Sequence, residues 1–279
     1  MTSQPADPRM PEFVAIPAGS FTMGISDEQI ARLAAASDDA RTWQRQGRFE
    51  REQPAHVVSL GDVLLARHPV TVGAYRRFID ASGYANERFW TAAGWEWRAA
   101  SSRQAPPDYW HQSPWADDDR LPVVGVSWFE AVAFCTWLSG ELDREIRLPS
   151  EAEWEKAARG SSDRLYPWGD AFDSRRCNTR SHGLARTIPV EEVPASGDSS
   201  YGLSGLIGNV SEWTASQFEP YPYDAHGSRE DMDTVALRVT RGGSWFSPDI
   251  RARATSRGMN DPWFTDRDLG FRVACAPKT

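Results

Sequence analysis

Thirteen tryptophans in 279 residues, set among 21 glycines and 19 prolines, constrain this chain more than any other feature. Large rigid rings fill a core from few attachment points, while Gly and Pro interrupt helices and strands. The combination predicts low regular secondary structure, with loops packed around aromatics. The rest of the composition, 40% hydrophobic and 25% charged, is that of an ordinary globular protein. A net charge of −8 without a basic stripe argues against nucleic acid as the main partner. No run of 18 apolar residues exists, so no membrane helix is expected. Residues 1–12 are polar and rich in proline, and are expected to form a disordered tail. They lack a secretory pattern, which makes the cytoplasm the expected compartment. Cys135, Cys177 and Cys275 are far apart and fit neither a disulfide framework nor a zinc knuckle.

Local signals place the elements. Residues 13–24 read as strand, turn and strand. Ser26 with Gln29, Ser127 with Glu130 and Ser150 with Glu153 are capping-box pairs that open helices at about 27–36, 128–139 and 151–159. Gly140 and Gly160 are expected to stop the last two. Thr71 caps a helix carrying Tyr75, Phe78 and Ile79 on one face, ended by Gly83. Residues 37–53 read as a mobile charged loop. Residues 56–60, 63–66, 237–241 and 269–275 read as strands. Residues 84–121 carry five tryptophans and read as a long packed excursion from a single domain, 13–279. Beyond residue 160 helical signal is scarce.

Eight segments, in order, then become recognisable: Phe13–Gly24, Pro69–Tyr75, Pro122–Trp128, Arg147–Glu155, Tyr166–Gly169, Gly208–Trp213, Arg241–Trp245 and Leu269–Arg272. Together they resemble the formylglycine-generating-enzyme (sulfatase-modifying factor) family over residues 13–275. The resemblance implies an α+β, loop-rich, C-type-lectin-like fold. It also implies O₂ chemistry at copper held by two cysteines, and here those positions are Ser247 and Ala252. A thiolate suits Cu(I); a hydroxyl is hard and a methyl binds nothing. Formylglycine generation is therefore not expected. Ser211 replaces the family's Trp and opens the pocket beside Trp245. The expected pocket is Trp245, Ser247, Arg251, Ala252, Arg253 and Ser211. Two structural Ca²⁺ sites are implied, each short of a ligand. Asn178 and Thr179 match one, with His182 where an Asp belongs; Gly208, Val210 and Glu212 match the other, with Gly205 in place of an Asn.

Plainer roles stand beside these. Ser247 precedes Pro248 in a turn and has no base at a diagnostic spacing. Glu151, Glu153 and Glu155 fit an acidic first helical turn. Arg251, Arg253, Arg257, Arg267 and Arg272 lie near Asp249, Asp261, Asp266 and Asp268, which suggests a salt-bridged lobe; the same arginines suit an anionic substrate. Trp128, Trp137, Trp154, Trp168 and Trp213 suit packing, whereas Trp90, Trp95, Trp110, Trp115 and Trp245 suit a groove. Two functions remain open. One is an O₂-dependent oxidoreductase acting on a small molecule or peptide, its redox metal (Fe or Cu) unidentified. The other is a non-catalytic module binding a small molecule, peptide or protein, for which the loops at 244–268 are the surface such folds vary.

Overall fold

The computed structural model describes residues 10–101 and 106–277. Ten strands and six α-helices among them follow the local signals closely in the first half of the chain. Strands β1 (Phe13–Ile16) and β2 (Gly19–Met23) flank the expected turn but join different partners. β2 pairs antiparallel with β3 (His56–Leu60) in a ribbon. β1 enters a four-stranded sheet of order β1-β4-β10-β5, with β4 Val63–Ala66, β5 Ile146–Arg147 and β10 Ala274–Cys275. The chain's last strand thus lies inside that sheet, between β4 and β5. A second four-stranded sheet runs β8-β7-β6-β9, with β6 Ser211–Gln217, β7 Arg238–Arg241, β8 Gly258–Asn260 and β9 Leu269–Phe271. In it β6 and β9 are parallel.

All three capping boxes are formed. They open α1 (Asp27–Ala36), α5 (Trp128–Leu142) and α6 (Glu151–Arg159), while Thr71 caps α3 (Val72–Asp80). Gly140 does not stop α5; the helix continues to Leu142 and ends at Asp143 in the left-handed conformation. Residues 37–53 are not a loop throughout. They hold α2 (Asp38–Arg45) and a 3₁₀ turn, Glu50–Glu52, because Ser37 caps the one and the buried Glu52 pins the other. The aromatic excursion contains α4 (Ala92–Ala100), and its Trp90, Trp95, Trp97 and Trp110 pack onto the main core around α3 and α5. The strand expected at 269–275 splits between the two sheets. Between α6 and β6 the chain is irregular apart from short 3₁₀ turns. The expected tail lies outside the described residues up to residue 9; Met10 packs against the core, and the Glu12 carbonyl accepts from the Arg67 amide at 2.7 Å. No helix among the described residues is long and apolar enough to cross a membrane.

Buried arginine–glutamate pairs tie these layers together. Glu151 and Glu155, one turn apart on α6, are both fully buried. Arg241 of β7 bridges them, Arg257 forks onto Glu151 at 2.6 and 2.9 Å, and Arg159 reaches Glu155 at 2.7 Å. Arg253 forks onto Glu52 at 2.7 and 2.8 Å, and Arg272 onto Glu212 at 2.6 and 2.7 Å. The expected salt-bridged lobe is corrected here: the partners of Arg253, Arg257 and Arg272 are distant glutamates, not the neighbouring aspartates. Glu151 and Glu155 likewise do more than charge a helix end. Burial alone would raise the Glu155 pKa, but Arg241 and Arg159 hold it below the usual range.

Candidate functional site

A polar cavity of about 280 Å³ opens beside the second sheet. Its floor is the bend after β7. Gly242 and Gly243 both take left-handed φ values, +88° and +66°. A Cβ on Gly242 would stand 2.6 Å from the Leu206 carbonyl oxygen, so the bend requires glycine there. It brings Ser244 and Ser247 together. The Ser244 amide donates to the Ser247 hydroxyl at 3.0 Å, and the two hydroxyls lie 3.2 Å apart. The Ser244 hydroxyl donates in turn to the Asp268 carboxylate. Burial raises the Asp268 pKa, and the neighbouring Asp266 adds to the rise. A chain of exchangeable protons thus links Ser247 through Ser244 to Asp268, and both Ser247 and Asp268 line the cavity.

Of the six residues that the sequence grouped in a pocket, Ser211, Ser247 and Arg251 line this cavity. The other expected pocket residues do not. Trp245 is turned away and stacks on Trp115, ring centroids 5.6 Å apart, with Arg267 over both rings. Arg253 is fully buried and held by Glu52, so it is unavailable to a ligand. Ala252 is also fully buried, in the apolar cluster beside α6. Its Cα and the Ser247 Oγ each lie 3.3 Å from where a Cβ on Gly243 would stand. The two positions are therefore neighbours, but a hydroxyl and a methyl do not fit copper(I). Among the described residues no three His, Cys, Asp or Glu side chains gather as metal ligands. All three cysteines are buried and free, and burial pushes the Cys177 thiol up to about 12.

The calcium expectations fare unequally. Glu212 does not fit one: its carboxylate is fully buried and accepts from Arg272 and from the Trp154 indole N–H at 2.8 Å. A guanidinium already supplies the positive charge there. At the other, the Asn178 amide donates to the Arg186 carbonyl and to Asn209, and its buried Oδ1 has no partner among the described residues. The Thr179 carbonyl accepts from the His182 amide, and the His182 Nδ1 contacts the Ser174 carbonyl at 2.9 Å. One free oxygen is far short of the six to eight that Ca²⁺ takes. Gly208 bridges to Asn178 just before β6, and the Asn209 amide donates to the Asn178 carbonyl at 2.7 Å; Val210 is buried beside them in sequence.

Several cavity residues escaped the sequence. Phe246 and Phe264 line it and are 53% and 40% exposed, the reverse of the usual fate of an aromatic. No periodicity marks either. Asp268 looked like an ion-pair partner because arginines surround it in sequence. Only the fold sets its carboxylate against Ser244.

A family model described as the sulfatase-modifying factor enzyme 1-like domain matches residues 1–277. The hercynine oxygenase of Mycolicibacterium smegmatis is 33% identical, with 94% of this chain and 60% of that protein covered. The chain spans 53% to 60% of the length of the hercynine oxygenases it matches. A Mus musculus protein named inactive C-alpha-formylglycine-generating enzyme 2 is 32% identical, with 95% and 85% covered. The solved structure of PvdO from Pseudomonas aeruginosa superposes with a TM-score of 0.71 at 26% identity, covering 96% of this chain and 95% of that one.

Proposed function

The chain belongs to the sulfatase-modifying factor family, and on that premise we propose an O₂-dependent oxidoreductase acting on a small molecule or peptide, not a copper-dependent generator of formylglycine. The observation that carries this reading is the Ser247–Ser244–Asp268 relay on the cavity floor, where the family's archetype has thiol chemistry. A substrate seated against Ser247 can pass a proton through two hydroxyls to Asp268, whose raised pKa makes it a better acceptor than an ordinary aspartate. Phe246 and Phe264 would shield the reacting group from water. The hercynine oxygenases lend support through their name, and make hercynine the first substrate to try. The Asn178 oxygen offers calcium at most a structural place, with no part in the chemistry.

The test is oxygen uptake by the purified protein, with hercynine and with a cysteine-containing sulfatase peptide as probes, before and after anaerobic addition of Fe(II) or Cu(I). Uptake with hercynine that Asp268→Asn slows supports the reading. Conversion of the peptide cysteine to formylglycine would sink it. A second reading, a non-catalytic ligand-binding module, is favoured by one observation: the exposed aromatic lip of Phe246 and Phe264. Its similarity to a relative named as inactive points the same way. Saturable binding without oxygen uptake under any of these conditions would select it.

A further inference from the structure

A second cavity, of about 190 Å³, lies where the segment joining β4 to α3 meets residues 10–12 and the 3₁₀ turn Val190–Glu192. Among the described residues it shares no lining residue with the polar cavity. Each wall is pinned separately. The Val70 amide donates to the Phe271 carbonyl at 2.8 Å, and the Val70 carbonyl accepts from the Val123 amide at 2.9 Å. The Arg67 amide holds the Glu12 carbonyl, and the Val190 amide donates to the Arg120 carbonyl at 3.0 Å. The cavity is therefore preformed. Ala66, Val70, Ala74 and Val190, all buried, make its lining apolar. An apolar cavity of about 150 Å³ accepts benzene, so this one has room for a ring and a small substituent.

Two polar side chains break the apolar lining. The Thr71 hydroxyl is in use, accepting from the Ala74 amide at 3.2 Å as the cap of α3. His68 is not in use. Its Nδ1 is buried without a partner, and its Nε2 is neither buried nor bonded among the described residues. Nε2 is thus the ring nitrogen that a ligand can reach. Burial and the fields of Arg272 and Arg67 lower the His68 pKa to about 4, so the imidazole is neutral near neutral pH. Both guanidiniums are themselves matched, Arg272 by Glu212 and Arg67 by Asp198 at 3.4 Å. A neutral imidazole carries one proton. Enclosing an orphaned N–H costs more than enclosing an orphaned lone pair, which places that proton on Nε2 as a donor. Glu12 and Glu191 line the cavity and are exposed, so they stand at its mouth. Among the described residues no cation bonds to either carboxylate. The field of Arg120 reaches Glu191, but Arg120 is held by Asp118 and Glu192.

We propose that this cavity binds a neutral, ring-sized apolar molecule through one carbonyl or hydroxyl oxygen, which accepts from the His68 Nε2–H. The apolar walls take the ring, and the single donor fixes its orientation. Glu12 and Glu191 turn away anions of the same shape. The site is separate from the polar cavity and stands whether or not the oxidase reading does.

The experiment is ligand-observed NMR titration of the whole protein with acetophenone, toluene and benzoate. Acetophenone should bind with a Kd below about 1 mM. Toluene, which lacks the acceptor, should bind about fivefold more weakly, and benzoate at least about tenfold more weakly. His68→Leu should bring acetophenone down to the affinity of toluene and leave toluene within about twofold. Glu12→Gln/Glu191→Gln should strengthen benzoate several-fold and leave acetophenone unchanged. Ala74→Met fills the cavity from α3, and Val190→Phe fills it from the 3₁₀ turn; whichever of them folds should lose both neutral probes. Three results overturn the proposal: no acetophenone binding at about 10 mM, equal binding of acetophenone and toluene, or benzoate as tight as acetophenone. So does acetophenone binding that survives in the filled variants and disappears in Phe246→Ala, which would assign the probes to the polar cavity.

Discussion

Arg253 and Arg251 stand two residues apart and have opposite surroundings. Arg253 turns inward, loses all contact with water and is clasped by both oxygens of Glu52. Arg251 lines an open cavity that it shares with Asp266 and Asp268, and among the described residues no carboxylate bonds to its guanidinium. The contrast extends to whole regions. Around α6 and β6, Arg241, Arg257, Arg159 and Arg272 each meet a buried glutamate, so their charge is committed to holding layers together. At the cavity, Arg251 has no such bonded glutamate among the described residues. Residue type does not separate structural from ligand-facing arginines here; the presence of a dedicated carboxylate does.

The strongest way to break the contrast is to orphan a buried partner. Glu212→Gln leaves Arg272 charged and enclosed, and should cost about 3–5 kcal/mol of stability in urea unfolding. A Glu212→Gln/Arg272→Met double variant should regain part of that loss, because no lone charge remains. Glu52→Gln should cost about 3 kcal/mol by the same mechanism and free the turn that carries Arg51. Retaining wild-type stability in both single variants would remove the distinction between the two regions. Next comes Ser247→Cys with Ala252→Cys. Overpacking at the buried Ala252 should cost about 1–2 kcal/mol, and anaerobic Cu(I) should then give thiolate-to-metal absorption absent from the wild type. No copper signal from the folded variant would show that the positions do not form the family's thiolate pair.

Two smaller effects sharpen the comparison. His68 is neutralised by burial and by the fields of Arg272 and Arg67, which lower its pKa to about 4 from an ordinary 6.5. Between those values the unfolded chain binds a proton that the folded chain refuses. The melting temperature should therefore fall as pH drops from 6.5 towards 4, less steeply in His68→Gln. Asp268→Asn should change stability by no more than about 1 kcal/mol, since an amide oxygen can still accept from the Ser244 hydroxyl. The pH profile of oxygen uptake should shift nonetheless. A large destabilisation would place Asp268 among the structural acids.

How much was legible followed how local each signal was. Ser127–Glu130 and Ser150–Glu153 announced α5 and α6 because a capping box is complete within four residues. Ser211 and Ser247 were located by their neighbours in recognisable motifs. Arg253 was misplaced because its partner, Glu52, lies 201 positions away in a segment that reads as loop. Trp245 was misplaced because stacking on Trp115 depends on the path of the excursion. β6, the inner strand between β7 and β9, was missed because residues 211–217 are buried on both faces and show no alternation.

The position of β10 bears on how that sheet closes. Ala274 and Cys275 slot between β4 and β5, so an inner rung comes from a segment far along the chain from both neighbours. Until β10 docks, β4 and β5 each present an open hydrogen-bonding edge. A folding intermediate that lacks this rung has two edges to offer other copies, which makes it the species expected to aggregate.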